Sequence, residues 1–172
     1  VKTVALVTDM EWPLGLAAGN ALEVTQSLEV LAGGGPADVV ELTLALAREM
    51  LGCVGIDADP AAALADGRAM DSWNAMIRAQ GGDPAAPLPV ARHTEIVTAP
   101  ASGYLTGMDA LAVGVAAWRL GAGRAKQGDP VQAGAGVTWT ARPGDRVVAG
   151  EPLFTLHTDT PERLERAREA LA

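Results

Sequence analysis

The sequence predicts an α/β protein, a partial open sheet with helices followed by a small C-terminal α+β domain. Apolar residues recur at helical spacing through most of residues 16–80, a proline-rich segment then interrupts the pattern, and short runs at strand spacing follow it.

The first element expected is a strand at Val4-Ala5-Leu6-Val7, a fully apolar run of the kind buried on both faces of a parallel sheet. Pro13-Leu14-Gly15 makes a turn, and Leu16, Ala17, Ala21, Val24, Leu28 and Leu31 then recur as one helix face. Gly33-Gly34-Gly35 stops that helix, and Pro36 stands at the first turn of the next, where its missing N–H is harmless. This second helix, about 37–51, carries Val40, Leu42, Leu44, Leu46, Met50 and Leu51 around much of its circumference, which predicts neighbours on more than one side. Asp59-Pro60 opens a short helix closed by Gly67, and residues 72–80 form another closed by Gly81-Gly82. Pro84, Pro87 and Pro89 forbid further helix and set a boundary between two domains, 1–87 and 88–172.

Beyond the boundary, 95–98 and 103–106 read as strands. Asp109 is placed to cap a helix over 110–120, which Gly121-Ala122-Gly123 ends in a left-handed turn. Strands resume at 137–141, 146–148 and 153–157, joined by turns at Pro143-Gly144-Asp145 and Gly150-Glu151-Pro152. Thr160-Pro161-Glu162 starts a last helix to Leu171, whose mixed Glu and Arg face reads as solvated surface.

Composition narrows the function classes. Thirteen Lys and Arg against 21 Asp and Glu give a net charge of −8, which argues against a nucleic-acid partner. The apolar runs fall short of the roughly 20 residues of a membrane span, and no secretory leader is evident, so a cytoplasmic chain with no membrane partner is expected. Cys53 stands alone and excludes an internal disulfide; with only His93 and His157 for company it makes no zinc cage, and it is expected in the core as a small apolar residue. Four Trp, one Tyr and one Phe leave the core to Leu, Val and Ala. Lysine chemistry has two positions, Lys2 and Lys126.

The best local site candidate is the loop from Thr8-Asp9-Met10 to Asn20, because ligands of open α/β sheets sit beyond strand ends. Gly15 and Gly19 allow close backbone approach there, while Asp9, Asn20 and Glu23 are its polar members, equally read as turn caps and an N–H acceptor. His93 and His157 lack a serine or cysteine partner motif and read as structural.

The ordered set Thr8-Asp9-Met10-Glu11-Trp12-Pro13-Leu14-Gly15 with Gly19-Asn20-Ala21-Leu22-Glu23-Val24, Gly34-Gly35-Pro36-Ala37-Asp38, Gln80-Gly81-Gly82-Asp83-Pro84, Ser102-Gly103-Tyr104, Met108-Asp109-Ala110 and Leu120-Gly121-Ala122-Gly123-Arg124 resembles the pyrimidine nucleoside phosphorylase and thymidine phosphorylase family, in its C-terminal portion only. The run from Gly144-Asp145 to His157 adds to it. Residues 143–153 also look like the strand-turn-strand repeat of biotinyl and lipoyl carriers, but neither lysine falls at a hairpin tip.

The resemblance implies a C-terminal domain of hammerhead or barrel-sandwich type and a pentosyltransferase reaction. That reaction is reversible phosphorolysis of thymidine or a related pyrimidine nucleoside to free base and (deoxy)ribose 1-phosphate, with phosphate as co-substrate. It also implies that the N-terminal part of the enzyme, with the phosphate loop and the pyrimidine-gripping residues, is a missing partner, and that the complete enzyme is a homodimer. No catalytic or substrate-binding residue carries over, the fragment alone is expected to be inactive, and Val1 is not expected to be a natural start. A potassium ion is implied at the backbone carbonyls of Leu14 and Ala17, with Gln26 where the family has a carboxylate. The alternatives are a related nucleoside monophosphate phosphorylase and a noncatalytic interaction domain.

Overall fold

The computed structural model describes residues 3–171; Lys2, one of the two lysine positions, and Val1, the expected artificial start, lie outside them. The chain divides into two compact units, one of residues up to Thr8 with Thr25–Pro87, the other of Asp9–Val24 with the chain from Leu88 onward.

The first unit is helical among the described residues. It holds the end of α1 (Asn20–Leu31), then α2 (Ala37–Val54), α3 (Pro60–Ala65) and α4 (Arg68–Ala79). Local chemistry sets these boundaries. Pro36 precedes α2, and Gly55 ends it at φ 71°, with its N–H and that of Ile56 returning to Gly52 and Leu51. The Asp59 carboxylate accepts the Ala61 N–H at 3.0 Å to start α3. The turn after α1 is tight enough to require glycine, since a Cβ on Gly35 would lie 2.5 Å from Val30 Cγ2.

Three expectations fail in this unit. Val4–Val7 forms no strand and is exposed, Val7 fully so, because a strand needs a hydrogen-bonded neighbour and the described residues of this unit hold none. Helix α2 buries no residue, so it is not sandwiched, and Cys53 on it is exposed rather than in the core. Met50, Val54 and Ile56 are likewise open to solvent.

The second unit carries the strands. β1 (Ala17–Gly19), β2 (His93–Thr98), β4 (Gly136–Trp139) and β6 (Pro152–Thr158) form one antiparallel sheet in the order β1-β4-β6-β2, and β3 (Gly103–Tyr104) pairs with β5 (Arg146–Val147). Helix α5 (Ala110–Ala117) starts under an Asp109 cap, whose Oδ1 accepts the Ala112 N–H at 3.0 Å, and runs into an irregular turn, Trp118–Ala122. A 3-10 turn, Pro161–Arg163, leads into α6 (Leu164–Arg168), shorter than the predicted helix to Leu171. The core lies between α5, α6 and the sheet. Val113, Ala116, Leu120, Ala135, Val137, Leu156 and Ala167 are all at most 1% exposed, an aliphatic interior closed at one side by Trp139.

One contact determines how β1 joins this sheet. Gly19 and Gly136 face each other across the β1–β4 ladder. A Cβ on Gly136 would stand 2.2 Å from the Ala18 oxygen, and one on Gly19 would stand 2.4 Å from the Ala135 oxygen. Both residues have φ near +150°, a region essentially confined to glycine. The backbones therefore touch where side chains ordinarily separate strands.

Gly136→Ala adds a backbone clash to a forbidden φ and is expected to destabilise the second unit by about 3 kcal/mol or more. Gly114→Ala, in α5 where an added Cβ meets nothing within 4 Å, is expected to be neutral or stabilising by about 0.5–1 kcal/mol. Urea unfolding of the two variants checks this; equal midpoints would refute the steric account.

Candidate functional site

The loop singled out from sequence, with β1 and the first turn of α1, is held at almost every step by the second unit. Asp9 folds back, its Oδ1 accepting the Glu11 N–H at 2.9 Å, and the Glu11 carbonyl accepts the Ala110 N–H at the start of α5. Gly15 turns the chain at φ 74° and is buried. The Leu16 carbonyl accepts the Trp139 N–H at 3.1 Å, which begins the β1–β4 ladder.

At the start of α1 the free amides are taken up by protein groups. Glu23 Oε1 accepts the Gly19 N–H at 2.9 Å from one helical turn on, a capping interaction that also sets a carboxylate near the positive end of the helix. The Ala21 N–H donates to the Ala133 carbonyl at 2.9 Å. Asn20 Nδ2 donates to the Ala122 carbonyl at 2.7 Å and so ties the helix start to the turn after α5. Asp9 caps a turn and Glu23 accepts an N–H, as the plain reading of these residues expects; Asn20 is a tether between distant segments.

Leu14 is half exposed beside Gly15, and Ala17 opens β1 opposite Thr138. Both belong to the second unit, whereas Gln26 lies on the stretch of α1 assigned to the first. Among the described residues, no group of three or more His, Cys, Asp and Glu side chains is assembled to hold a metal ion.

Sequence reasoning missed the polar hub that braces this region. Gln132 Oε1 accepts the Asp159 N–H at 2.7 Å and lies 3.0 Å from the Thr158 hydroxyl, while its Nε2 donates to Thr160 Oγ1 at 2.7 Å. Thr158 is fully buried, and its hydroxyl reaches the Leu120 carbonyl at 2.7 Å. The Gln132 N–H donates to the Gly121 carbonyl at 2.9 Å. One glutamine thus joins the turn after α5 to the end of β6. A single Gln in a Gly- and Ala-rich loop has no spacing that betrays this role.

His157 and His93 both lie on strands of the main sheet. His157 Nε2 is 3.0 Å from Thr138 Oγ1 across the β4–β6 pair, and burial pushes its pKa below the ordinary histidine value. Exposed His93 begins β2 opposite Thr158.

Residues 104–172 match the family model described as the pyrimidine nucleoside phosphorylase C-terminal domain. Over 173 aligned residues covering 100% of the chain, it is 60% identical to a thymidine phosphorylase of Mycobacterium tuberculosis. It is 36% identical to pyrimidine-nucleoside phosphorylases of Staphylococcus epidermidis and Bacillus subtilis, over 94% and 92% of the chain. The chain spans about 40% of the length of the curated relatives it matches.

The titratable group nearest this architecture is His157. Because its folded pKa lies below the ordinary 6.5, the unfolded chain binds more protons as the solution is acidified. Its contribution to stability is present above pH 6.5 and is lost as pH falls through the folded value. His157→Gln is expected to flatten the fall in Tm between about pH 7 and 5. An unchanged pH profile in that variant would show that the histidine is not desolvated.

Proposed function

The chain belongs to the pyrimidine nucleoside phosphorylase and thymidine phosphorylase family through its C-terminal portion, and we propose that it forms part of an enzyme for reversible phosphorolysis of thymidine or a related pyrimidine nucleoside. In that reaction phosphate attacks C1′ of the sugar, the bond to the base breaks, and the products are free base and (deoxy)ribose 1-phosphate. The observation that supports this reading most is 60% identity along the whole chain to a thymidine phosphorylase that is more than twice as long.

The chain's own part is architectural. The groups at the start of α1 are taken up by Glu23 and by the carbonyls of Ala122 and Ala133, and its histidines sit in the sheet. No residue here is assigned to the reacting atoms, and the 172 residues alone are proposed to be inactive. The phosphate loop and the groups that grip the base belong to the remaining length of the enzyme. That remainder is proposed to cover the apolar side chains that this chain leaves open, among them Val4, Leu6, Val7, Leu46 and Met50. Closing the assembled enzyme over its substrates would exclude water while C1′ becomes cation-like and charge develops on the leaving base.

A potassium ion remains part of the proposal on the strength of the family resemblance, with the backbone carbonyls of Leu14 and Ala17 as its donors in the second unit. These are neutral oxygens, the chemistry a large monovalent cation accepts. A cytoplasmic homodimer is proposed for the complete enzyme. No helix among the described residues is long and apolar enough to cross a membrane.

Phosphate-dependent release of thymine from thymidine tests the reading. The chain alone is expected to give none, and co-expression with the N-terminal 60% of the Mycobacterium tuberculosis relative is expected to restore it. Turnover by the isolated chain would overturn its inactivity. A soluble co-expressed complex that cleaves a nucleoside monophosphate and not thymidine would replace the substrate.

A further inference from the structure

A cleft of about 490 Å³ opens in the second unit, between the turn after α5, the 125–130 loop and the segment Glu162–Arg166. Trp118, Arg119, Arg163 and Arg166 line it, with Asp129 and Glu162 as its acidic members. We propose that this cleft binds a phosphate monoester, with the arginines holding the phosphate and the Trp118 indole supporting the group esterified to it. The inference does not depend on the phosphorolysis reading, whose phosphate would bind in the part of the enzyme outside this chain.

Three observations lead there. Arg163 and Arg166 are exposed, and among the described residues neither forms an ion pair, so two guanidinium forks are available to a bidentate anion. Arg119 is tied down beside them, its Nη1 donating to the Arg166 carbonyl and lying 3.8 Å from Glu169, so it frames the cleft and adds positive charge to it. Asp129 is held back in its own loop, where its Oδ2 accepts the Lys126 N–H at 3.1 Å, and three arginines outnumber the two carboxylates of the lining.

The walls are also built by backbone that excludes side chains. A Cβ on Gly121 would come 3.1 Å from Arg163 Nη1, and one on Gly123 would come 2.8 Å from Trp118 Cδ1. The guanidinium and the indole therefore rest directly on the Gly121-Ala122-Gly123 turn, and Trp118 Nε1 is fixed further by donating to the Arg124 carbonyl at 3.2 Å. The indole remains 44% exposed, a flat apolar platform beside the cations. In a chain of net charge −8 the positive charge gathered here is local, which favours a small dianion over a nucleic acid.

Titration of the chain with thymidine 5′-monophosphate, followed by calorimetry at low and at physiological salt, tests the proposal. Saturable binding is expected, with inorganic phosphate competing for the same site and thymidine binding at least about tenfold more weakly than its monophosphate. Arg163→Gln/Arg166→Gln is expected to weaken binding at least about tenfold, and Glu162→Gln, which removes the one uncapped carboxylate at the rim, to tighten it. Both changes are at exposed positions, and thermal melting confirms that the variants fold. Absence of saturation up to about 10 mM, equal affinity for thymidine, or an equal loss in the charge-matched Arg92→Gln/Arg146→Gln variant would overturn it.

Discussion

The approach of Gly19 to Gly136 is the contact on which the architecture of the second unit depends. Two residues far apart in sequence face each other across an antiparallel ladder, and each would collide with the other strand's backbone if it carried a Cβ. Because the backbones meet directly, the Leu16 carbonyl reaches the Trp139 N–H and the Ala21 N–H reaches the Ala133 carbonyl. Those bonds close the sheet at β1 and hold the first turn of α1 beside the turn that follows α5. Glu23 and Asn20 then satisfy the remaining groups at that helix start. A segment early in the chain is built into a domain formed mostly by the last 85 residues, counted from Leu88 to Ala172.

Much of this was legible from local chemistry. Asp109 and Asp59 cap helices as their positions predict, Gly55 ends α2 and Gly121 the run from α5 in left-handed conformations, and the strands at 95–98, 137–141 and 153–157 form within a few residues of their expected limits. These signals succeed because each depends on a few adjacent residues. What failed depends on partners. Val4–Val7 has the composition of a buried strand, but composition does not supply the neighbour that a strand must bond. Helix α2 and Cys53 were placed in a core by apolar content, and the covering surface is not contributed by this chain's described residues. The short strand β1 hid inside a helical apolar pattern, because the spacing of Leu16, Ala17 and Ala21 does not reveal that Gly19 must meet Gly136. The arginines of the cleft were hidden for the opposite reason, since charges on a short helix read as solvated surface unless the fold brings a tryptophan and a distant loop beside them.

The two units differ in a way that matters for function. The second has an aliphatic core and a polar hub at Gln132 and Thr158, so its interactions are largely satisfied from within. The first leaves long apolar side chains exposed along α2 and in the segment before the loop. Exposed apolar side chains of this extent mark a surface suited to a partner, which the proposed function assigns to the remaining length of the enzyme. The contrast between a self-sufficient domain and an open helical surface is the structural basis of the architectural role proposed above.

The most direct measurement of the glycine-joined sheet is amide hydrogen exchange in the native chain. If β1 is part of the second unit's core, the Ala21 and Trp139 amides exchange as slowly as that of Leu156 in the central strand β6. If the Ala21 and Trp139 amides instead exchange as fast as those of the exposed segment before the loop while Leu156 stays protected, the β1–β4 pairing is not a structural element of the protein, and the account built on it is wrong.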